Sequence, residues 1–339
     1  MSKNKTPSHI ERMSSRDIED ILSDENVKIH GERYTQYRNQ YHKIVDGEDL
    51  STTPDQPITL GIELVNKCNF LCKMCLTPSL KHEPKIVITE KNKNNMLREI
   101  SKLKIPAVMF GMGEEPLLYK KFTELAKEIK QAGVMDIFLF TNGLLLNEKI
   151  SQELVDIPIT RIYVSLDAAT EKTFHKVRGR DQLLKIENNV KNLIKYRNKK
   201  NKNLPIVRVS FCITEDNKSE KNMFVSKWKE IVDHIDFQTV HDFSKVNEMS
   251  LLSSRELQDE TTKHEGLMCS QPWEKLTVWA NGDVSPCCTF HGKNLIIGNI
   301  NYQSIQELWN GSNINKIREQ LRSGNINKVC HECITKRGI

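Results

Sequence analysis

From residue 58 onward the chain alternates short apolar runs with amphipathic stretches six times, at 58–65, 107–111, 137–140, 162–166, 206–213 and 235–240. Each run has the length of a strand, and the stretches between them carry apolar residues at helical spacing. Phe122, Leu125, Ala126 and Ile129 make one such stripe, stopped by Gly133 at the helix end. Another follows Asn217, with Phe224, Trp228, Ile231 and Val232 on one face. Consecutive parallel strands need a crossover, and the crossover helix must cover the sheet, so repeated strand-then-helix units imply a parallel sheet. Short right-handed crossovers curl such a sheet toward a barrel. A full eight-unit barrel takes roughly 250 residues, and six units in about 180 fall short of that. The expected fold class is α/β: a partial (β/α)6 TIM-like barrel over residues 56–250. Its reactive groups belong at the C-terminal ends of the strands.

Two flanking segments differ from this pattern. Residues 1–55 are polar and charged, and Tyr34, Tyr37 and Tyr41 lie at i, i+3 and i+7. That spacing predicts a helical extension packing its tyrosine face onto the barrel, in preference to a stripe for stacking RNA bases. Residues 265–339 read as a small hairpin-plus-helix domain. Asn281-Gly282 between the apolar runs at 277–279 and 284–286 signals a tight hairpin. Ser304, with Glu307 three residues on, caps a helix running through Ile305, Leu308, Trp309 and Ile317.

The net charge of +6 comes from 50 basic and 44 acidic residues. They are intermixed, so a solvated surface is expected rather than a nucleic-acid partner. The basic stretch of Lys191, Lys195, Arg197, Lys199, Lys200 and Lys202 closes a helix, where cations interact favourably with the helix C-terminus. No apolar run approaches the roughly 20 residues of a membrane span, and the N-terminus has no apolar signal core. The expected location is cytoplasmic. There, nine cysteines point to metal or thiol chemistry rather than disulfides.

Three of the cysteines, Cys68, Cys72 and Cys75, share one loop directly after the first apolar run. A structural zinc site would need a fourth ligand nearby, and the nearest histidine is His82. A [4Fe–4S] cluster normally takes four cysteines, so three leave one iron open. The pattern Cys-x-x-x-Cys-x-x-Cys in this place resembles the signature of the radical S-adenosylmethionine superfamily. That resemblance implies that Cys68, Cys72 and Cys75 hold a [4Fe–4S] cluster whose open iron binds S-adenosylmethionine. Phe110-Gly111-Met112-Gly113-Glu114-Glu115-Pro116 resembles the family's Gly-Gly-Glu-Pro element, placing Gly113, Glu114 and Glu115 at the cofactor. Glu114 stands where that element has its second glycine, a departure for the backbone because Glu takes positive φ less cheaply than Gly. Asn142, in Thr141-Asn142-Gly143, and Ser165, in Ser165-Leu166-Asp167, match family positions facing cofactor or substrate.

In the tail, Cys269, Gly282 and Cys287 resemble the opening of the SPASM and twitch domains, which carry auxiliary clusters in this superfamily. With Cys330 and Cys333 they make four ligands, enough for one [4Fe–4S] cluster, although a structural four-cysteine zinc site fits the same spacing. One auxiliary cluster after a partial barrel resembles the twitch arrangement of 2-deoxy-scyllo-inosamine dehydrogenase and of the molybdenum-cofactor cyclase. Cys288, beside Cys287, reads either as a small buried hydrophobe in a strand or as resembling the hydrogen-donating thiol of radical epimerases. Because side chains alternate along a strand, it should point away from Cys287 unless the chain bends. Cys212 reads as core. Arg208 faces away from Phe211, toward either a substrate anion or solvent.

The resemblance implies reductive cleavage of S-adenosylmethionine to a 5′-deoxyadenosyl radical, which takes hydrogen from an organic substrate. With no peptide-docking segment ahead of the barrel, a carbohydrate-like metabolite undergoing dehydrogenation is expected. A sugar or peptide epimerase using Cys288 is the alternative. A zinc-stabilised binding module is the alternative of another class. The partners implied are a small-molecule or peptide substrate and a low-potential electron donor such as flavodoxin or ferredoxin.

Overall fold

The computed structural model describes residues 10–14, 18–47, 50–76, 84–240, 254–263 and 269–335. His82 lies outside them. The strands are β1 (Ile10–Ser14), β2 (Thr59–Ile62), β3 (Ala107–Phe110), β4 (Asp136–Thr141), β5 (Arg161–Ser165), β6 (Ile206–Ile213) and β7 (His234–Thr239). Farther on come β8 (Thr261–Lys263), β9 (Lys275–Val278), β10 (Asp283–Ser285), β11 (Gly298–Asn299) and β12 (Asn325–Asn327). Strands β2 to β7 pair in parallel in sequence order, as the six apolar runs require. The intervening helices are α3 (Glu90–Leu103), α4 (Phe122–Gln131), α5 (Glu148–Asp156), α6 (Glu171–Arg178), α7 (Leu183–Lys199) and α8 (Lys221–Trp228). This is the α/β architecture of a partial barrel.

A period of two runs through the strands. Leu60, Ile62, Val108, Phe110, Ile137, Leu139, Ile162, Val164, Val209 and Phe211 are fully buried and form one face, which packs under the helices. The alternate residues are of another kind. Thr59, Met109, Phe138, Phe140, Arg161, Tyr163, Arg208 and His234 line a cavity of about 670 Å³. The main core is therefore the layer between sheet and helices, while the other face of the sheet borders this cavity.

Both ends of the sheet are extended. In the N-terminal segment, α1 (Ile18–His30) and α2 (Glu32–Val45) are helices, and Tyr34 and Tyr37 are buried as the spacing predicts. The Tyr37 hydroxyl donates to the buried Asp136 at 3.1 Å. The segment also contains β1, which pairs antiparallel with β7 and was not expected from its polar sequence. At the other end, β9 joins β2 in parallel, so the tail continues the barrel sheet. The hairpin of β9 and β10 turns at Asn281-Gly282, with Gly282 at φ +93°.

Three local expectations are corrected. The helix capped by Ser304 has both arms of its capping box but ends at Asn310, and a second helix, Ser312–Ser323, follows the extended Gly311. A helix does follow the buried Asn217, but it ends at Trp228, so Phe224 and Trp228 lie on it while Ile231 and Val232 fall in the turn beyond. Arg197 is not part of a solvated basic run, since it is buried and ion-paired with Asp233. Among the described residues no helix is long and apolar enough to cross a membrane.

Candidate functional site

The three-cysteine loop leaves the C-terminal end of β2 and is gripped by the end of α6. Lys73 N–H donates to the Val177 carbonyl at 3.1 Å, and Arg180 Nε to the Asn69 carbonyl at 3.1 Å. Gly179, at φ +68°, lies against this loop; a Cβ there would stand 3.1 Å from the Leu71 carbonyl oxygen. Cys72 is buried, while Cys68 and Cys75 are half-buried. Burial pushes the Cys68 thiol up to about 12, and the neighbouring Cys72 and Cys75 add to the rise. Arg178 Nη1 donates to Cys72 Sγ at 3.1 Å, and Asn142 Nδ2 approaches Cys68 Sγ at 3.8 Å.

The loops after the next strands close around this one. Gly111 takes φ +93°, and a Cβ there would stand 2.3 Å from the Phe140 carbonyl oxygen. The positive φ thus falls on Gly111, and Glu114 is not among the non-glycine residues with positive φ, so its replacement of a glycine leaves the turn intact. Instead the Glu114 carboxylate folds back to accept from Gly111 N–H at 3.2 Å and Gly113 N–H at 3.1 Å. Burial, then the nearby Glu63, raises it to about 8. Lys293, from the tail, pairs with Glu63 at 2.9 Å.

Glu115 belongs to the element whose backbone the resemblance places at the cofactor, and its carboxylate turns inward. It accepts from Thr141 Oγ1 and Asn142 N–H, both at 2.8 Å, and from Leu117 N–H at 3.2 Å. Burial raises it to about 7. Its part is to hold the loop that presents Asn142. The Asn142 side chain faces the three-cysteine loop, donating to Asn69 Oδ1 at 2.7 Å. Ser165, half-buried at the end of β5, meets Ser210 at 3.4 Å.

In the tail, burial raises the Cys287 thiol to about 12, with added effects from Cys333, Cys288 and Cys269. Cys330 is raised by burial and then by Cys269, Cys287 and Cys333. The four cysteines at 269, 287, 330 and 333 thus lie near enough to feel one another's charge, with Cys333 buried and the other three half-buried. Gly292 is required beside it, because a Cβ there would stand 2.7 Å from Cys287 Sγ. Cys288 lies past the end of β10, where the chain bends. Its Sγ reaches Gln271 Oε1 at 3.6 Å, and its charge would be felt by Lys275 on the cavity wall.

Both thiol sets fit iron–sulfur clusters by their chemistry. Buried, mutually repelling thiolates are favourable only around a strongly positive centre. Among the described residues no three His, Cys, Asp or Glu side chains converge as on a single bound ion.

Sequence reasoning missed several residues here. Arg178 sits in an otherwise ordinary helix end, and Glu63 and Lys293 meet only through the pairing of β2 with β9. Cys212 was assigned to the core. It is half-buried at the end of β6, close enough to Asp167, Arg178 and Cys72 for their charges to affect it. Arg208 does not face bulk solvent; on the cavity wall it is buried, ion-paired with Asp236 and stacked 3.5 Å over the Tyr163 ring.

A parallel barrel with a three-thiol loop after its first parallel strand, joined to a four-thiol tail, defines an iron–sulfur radical enzyme. Residues 62–237 match the radical SAM superfamily and residues 269–334 match the SPASM iron–sulfur cluster-binding domain. The chain belongs to the radical SAM superfamily. Its cofactors are S-adenosylmethionine and [4Fe–4S] clusters, one of them auxiliary. Similar proteins include the probable GTP 3′,8-cyclase of Metallosphaera sedula, 29% identical over 54% of this chain and 55% of its own length. The GTP 3′,8-cyclase of Staphylococcus aureus is 33% identical over 40% of this chain and 41% of its own. The chain thus spans about half the length of the relatives it matches. Among solved structures, anSMEcpe with AdoMet and a peptide superposes with a TM-score of 0.58 at 16% identity, over 83% of this chain and 88% of that one. SuiB of Streptococcus suis, bound to its precursor peptide SuiA, gives 0.55 at 18%, over 87% and 74%. At these identities the likeness is one of fold.

Proposed function

We propose that the enzyme dehydrogenates a small, neutral, hydroxyl-bearing molecule held in the barrel cavity. Cys68, Cys72 and Cys75 hold the cluster that binds S-adenosylmethionine, with Gly113, Asn142 and Ser165 along the cofactor. Cys269, Cys287, Cys330 and Cys333 hold the auxiliary cluster. Together these groups supply a carbon radical that takes one hydrogen atom and an acceptor for the electron that follows. Reduction comes from a low-potential carrier such as flavodoxin or ferredoxin.

The observation that carries the substrate class is the charge balance of the cavity. Four of its cations each stand against a carboxylate: Arg38 against Glu19, Arg161 against Asp136, Arg208 against Asp236 and Lys275 against Glu274. Phe138, Phe140 and Tyr163 supply ring faces between them. Such a wall offers donors, acceptors and stacking surfaces without net positive charge. It suits a carbohydrate-like ring and leaves little to counter a triphosphate, so the GTP of the cyclases is a poor fit. His234 and Glu274 line the same cavity and add polar groups to its wall.

Epimerisation is the second reading, favoured by the position of the Cys288 thiol on the Lys275 side of the tail. The reconstituted enzyme, screened anaerobically with cyclitols, amino sugars and nucleotides, should form 5′-deoxyadenosine fastest with a neutral polyol or amino sugar. In deuterium oxide the product should lack two hydrogens and carry no label on carbon, and Cys288→Ala should turn over normally. A labelled isomer of the substrate, lost in Cys288→Ala, would establish the epimerase instead.

A further inference from the structure

We propose that Arg178 is a positioning residue that raises the reduction potential of the S-adenosylmethionine-binding cluster, through a charged hydrogen bond to Cys72. The inference rests on Cys72 being a ligand of that cluster. Reduction adds one electron, supplied by the low-potential carrier, to a site already ringed by thiolates. A cation that donates to one of those sulfurs stabilises the added charge, and hydrogen bonds to ligand sulfurs are a principal determinant of cluster potential. Arg178 Nη1 donates to Cys72 Sγ at 3.1 Å, and both residues are buried, so water screens the interaction little. Cys68 receives neutral donors instead, the Phe70 backbone N–H and the amide of Asn142 at 3.8 Å.

The guanidinium is held from several sides. Nη2 pairs with Asp167 Oδ2 at 2.8 Å, and Oδ1 of the same carboxylate accepts from Cys212 N–H at 2.7 Å. Asp167 takes φ +63°, a left-handed conformation costly for a non-glycine residue. Asn217 Nδ2 secures that turn by donating to the Asp167 carbonyl at 2.8 Å. The helix carrying Arg178 is itself anchored at its start, where Glu220 accepts from Thr170 Oγ1, Thr173 Oγ1 and Ala169 N–H. A strained, multiply fixed carboxylate aiming one guanidinium at one thiol is more than helix packing requires.

The test is an EPR-monitored redox titration of the protein with both clusters loaded, following the signal that changes when S-adenosylmethionine is added. Arg178→Met should move that midpoint to a more negative potential and leave the auxiliary midpoint where it was. Arg178→Lys, which keeps the charge but not the two-pronged geometry, should fall between. Asp167→Asn, which releases the guanidinium from its aim at Cys72, should also move the midpoint to a more negative potential. A wild-type midpoint in fully loaded Arg178→Met overturns the proposal, as does an equal shift of both clusters. Should Arg178→Met fail to load, wild-type midpoints in both Arg178→Lys and Asp167→Asn overturn it. Cys72→Ala keeps the two ideas apart: if that variant retains the responsive cluster, the ligand assignment itself has failed.

Discussion

At the scale of single residues, Glu114 shows what a departure from a family pattern does physically. Standing where the pattern has a glycine, it bonds its carboxylate to two backbone N–H groups, beside Glu63 and the tail's Lys293. Burial raises its pKa to about 8, above the ordinary glutamate range. An acid with a raised folded pKa binds more protons folded than unfolded, so its contribution to stability falls as pH rises through that window. Glu114→Gln removes the titration. Relative to the parent, its thermal stability should improve by about 1–3 kcal/mol between about pH 5 and about pH 9. A difference independent of pH would show that the parent carboxylate is already ionised at the lower end. The three-cysteine loop and the Gly-Glu-Glu-Pro station were legible in the sequence because their spacing is local. The inward turn of Glu115 and the Arg178 contact were not, because each depends on a partner 26 or 106 residues away.

At the scale of elements, legibility followed burial. The six parallel strands showed as apolar runs because one face of each is packed under helices. The edge strand β1 did not, since the Ile-Glu-Arg-Met-Ser of an edge strand carries little apolar signal. Helix α2 showed only its tyrosines, yet it reaches to the bottom of the sheet, where Asp136 is fully buried between Tyr37, Thr160 and Arg161. Removing one neutral partner from such a carboxylate costs far less than removing its cation. Tyr37→Phe should lower stability by about 1 kcal/mol, whereas Arg161→Leu should cost about 3–5 kcal/mol. Thermal unfolding of the cluster-loaded protein measures both. Equal losses would mean that α2, rather than the ion pair, stabilises this end of the sheet.

At the scale of the whole molecule, the tail is joined to the barrel by more than its linker. Strand β9 extends the parallel sheet beside β2, and a Cβ on Gly113 would meet the Phe290 ring at 2.3 Å. Trp309 Nε1 donates to the Pro54 carbonyl at 2.6 Å. None of this was legible, because it is set by contacts between residues about 180 to 255 positions apart in the sequence. With the two parts sharing one sheet, deletion of the tail would strip the edge of β2 and report on folding alone. Substitution of ligands separates the clusters instead, since the thiols of each set lie in loops or short helices at the sheet's margin. Replacing Cys68, Cys72 and Cys75 together by Ala should leave one cluster's worth of iron and abolish formation of 5′-deoxyadenosine. Cys330→Ala should remove the other cluster's iron and leave slow cleavage of S-adenosylmethionine uncoupled from product, because only a cluster with an open iron binds the cofactor. Iron content, 5′-deoxyadenosine and product are measured on the same reconstituted samples. Unchanged cleavage by the triple variant would refute the assignment of the first loop. Coupled turnover by Cys330→Ala would remove the auxiliary cluster from the proposed reaction.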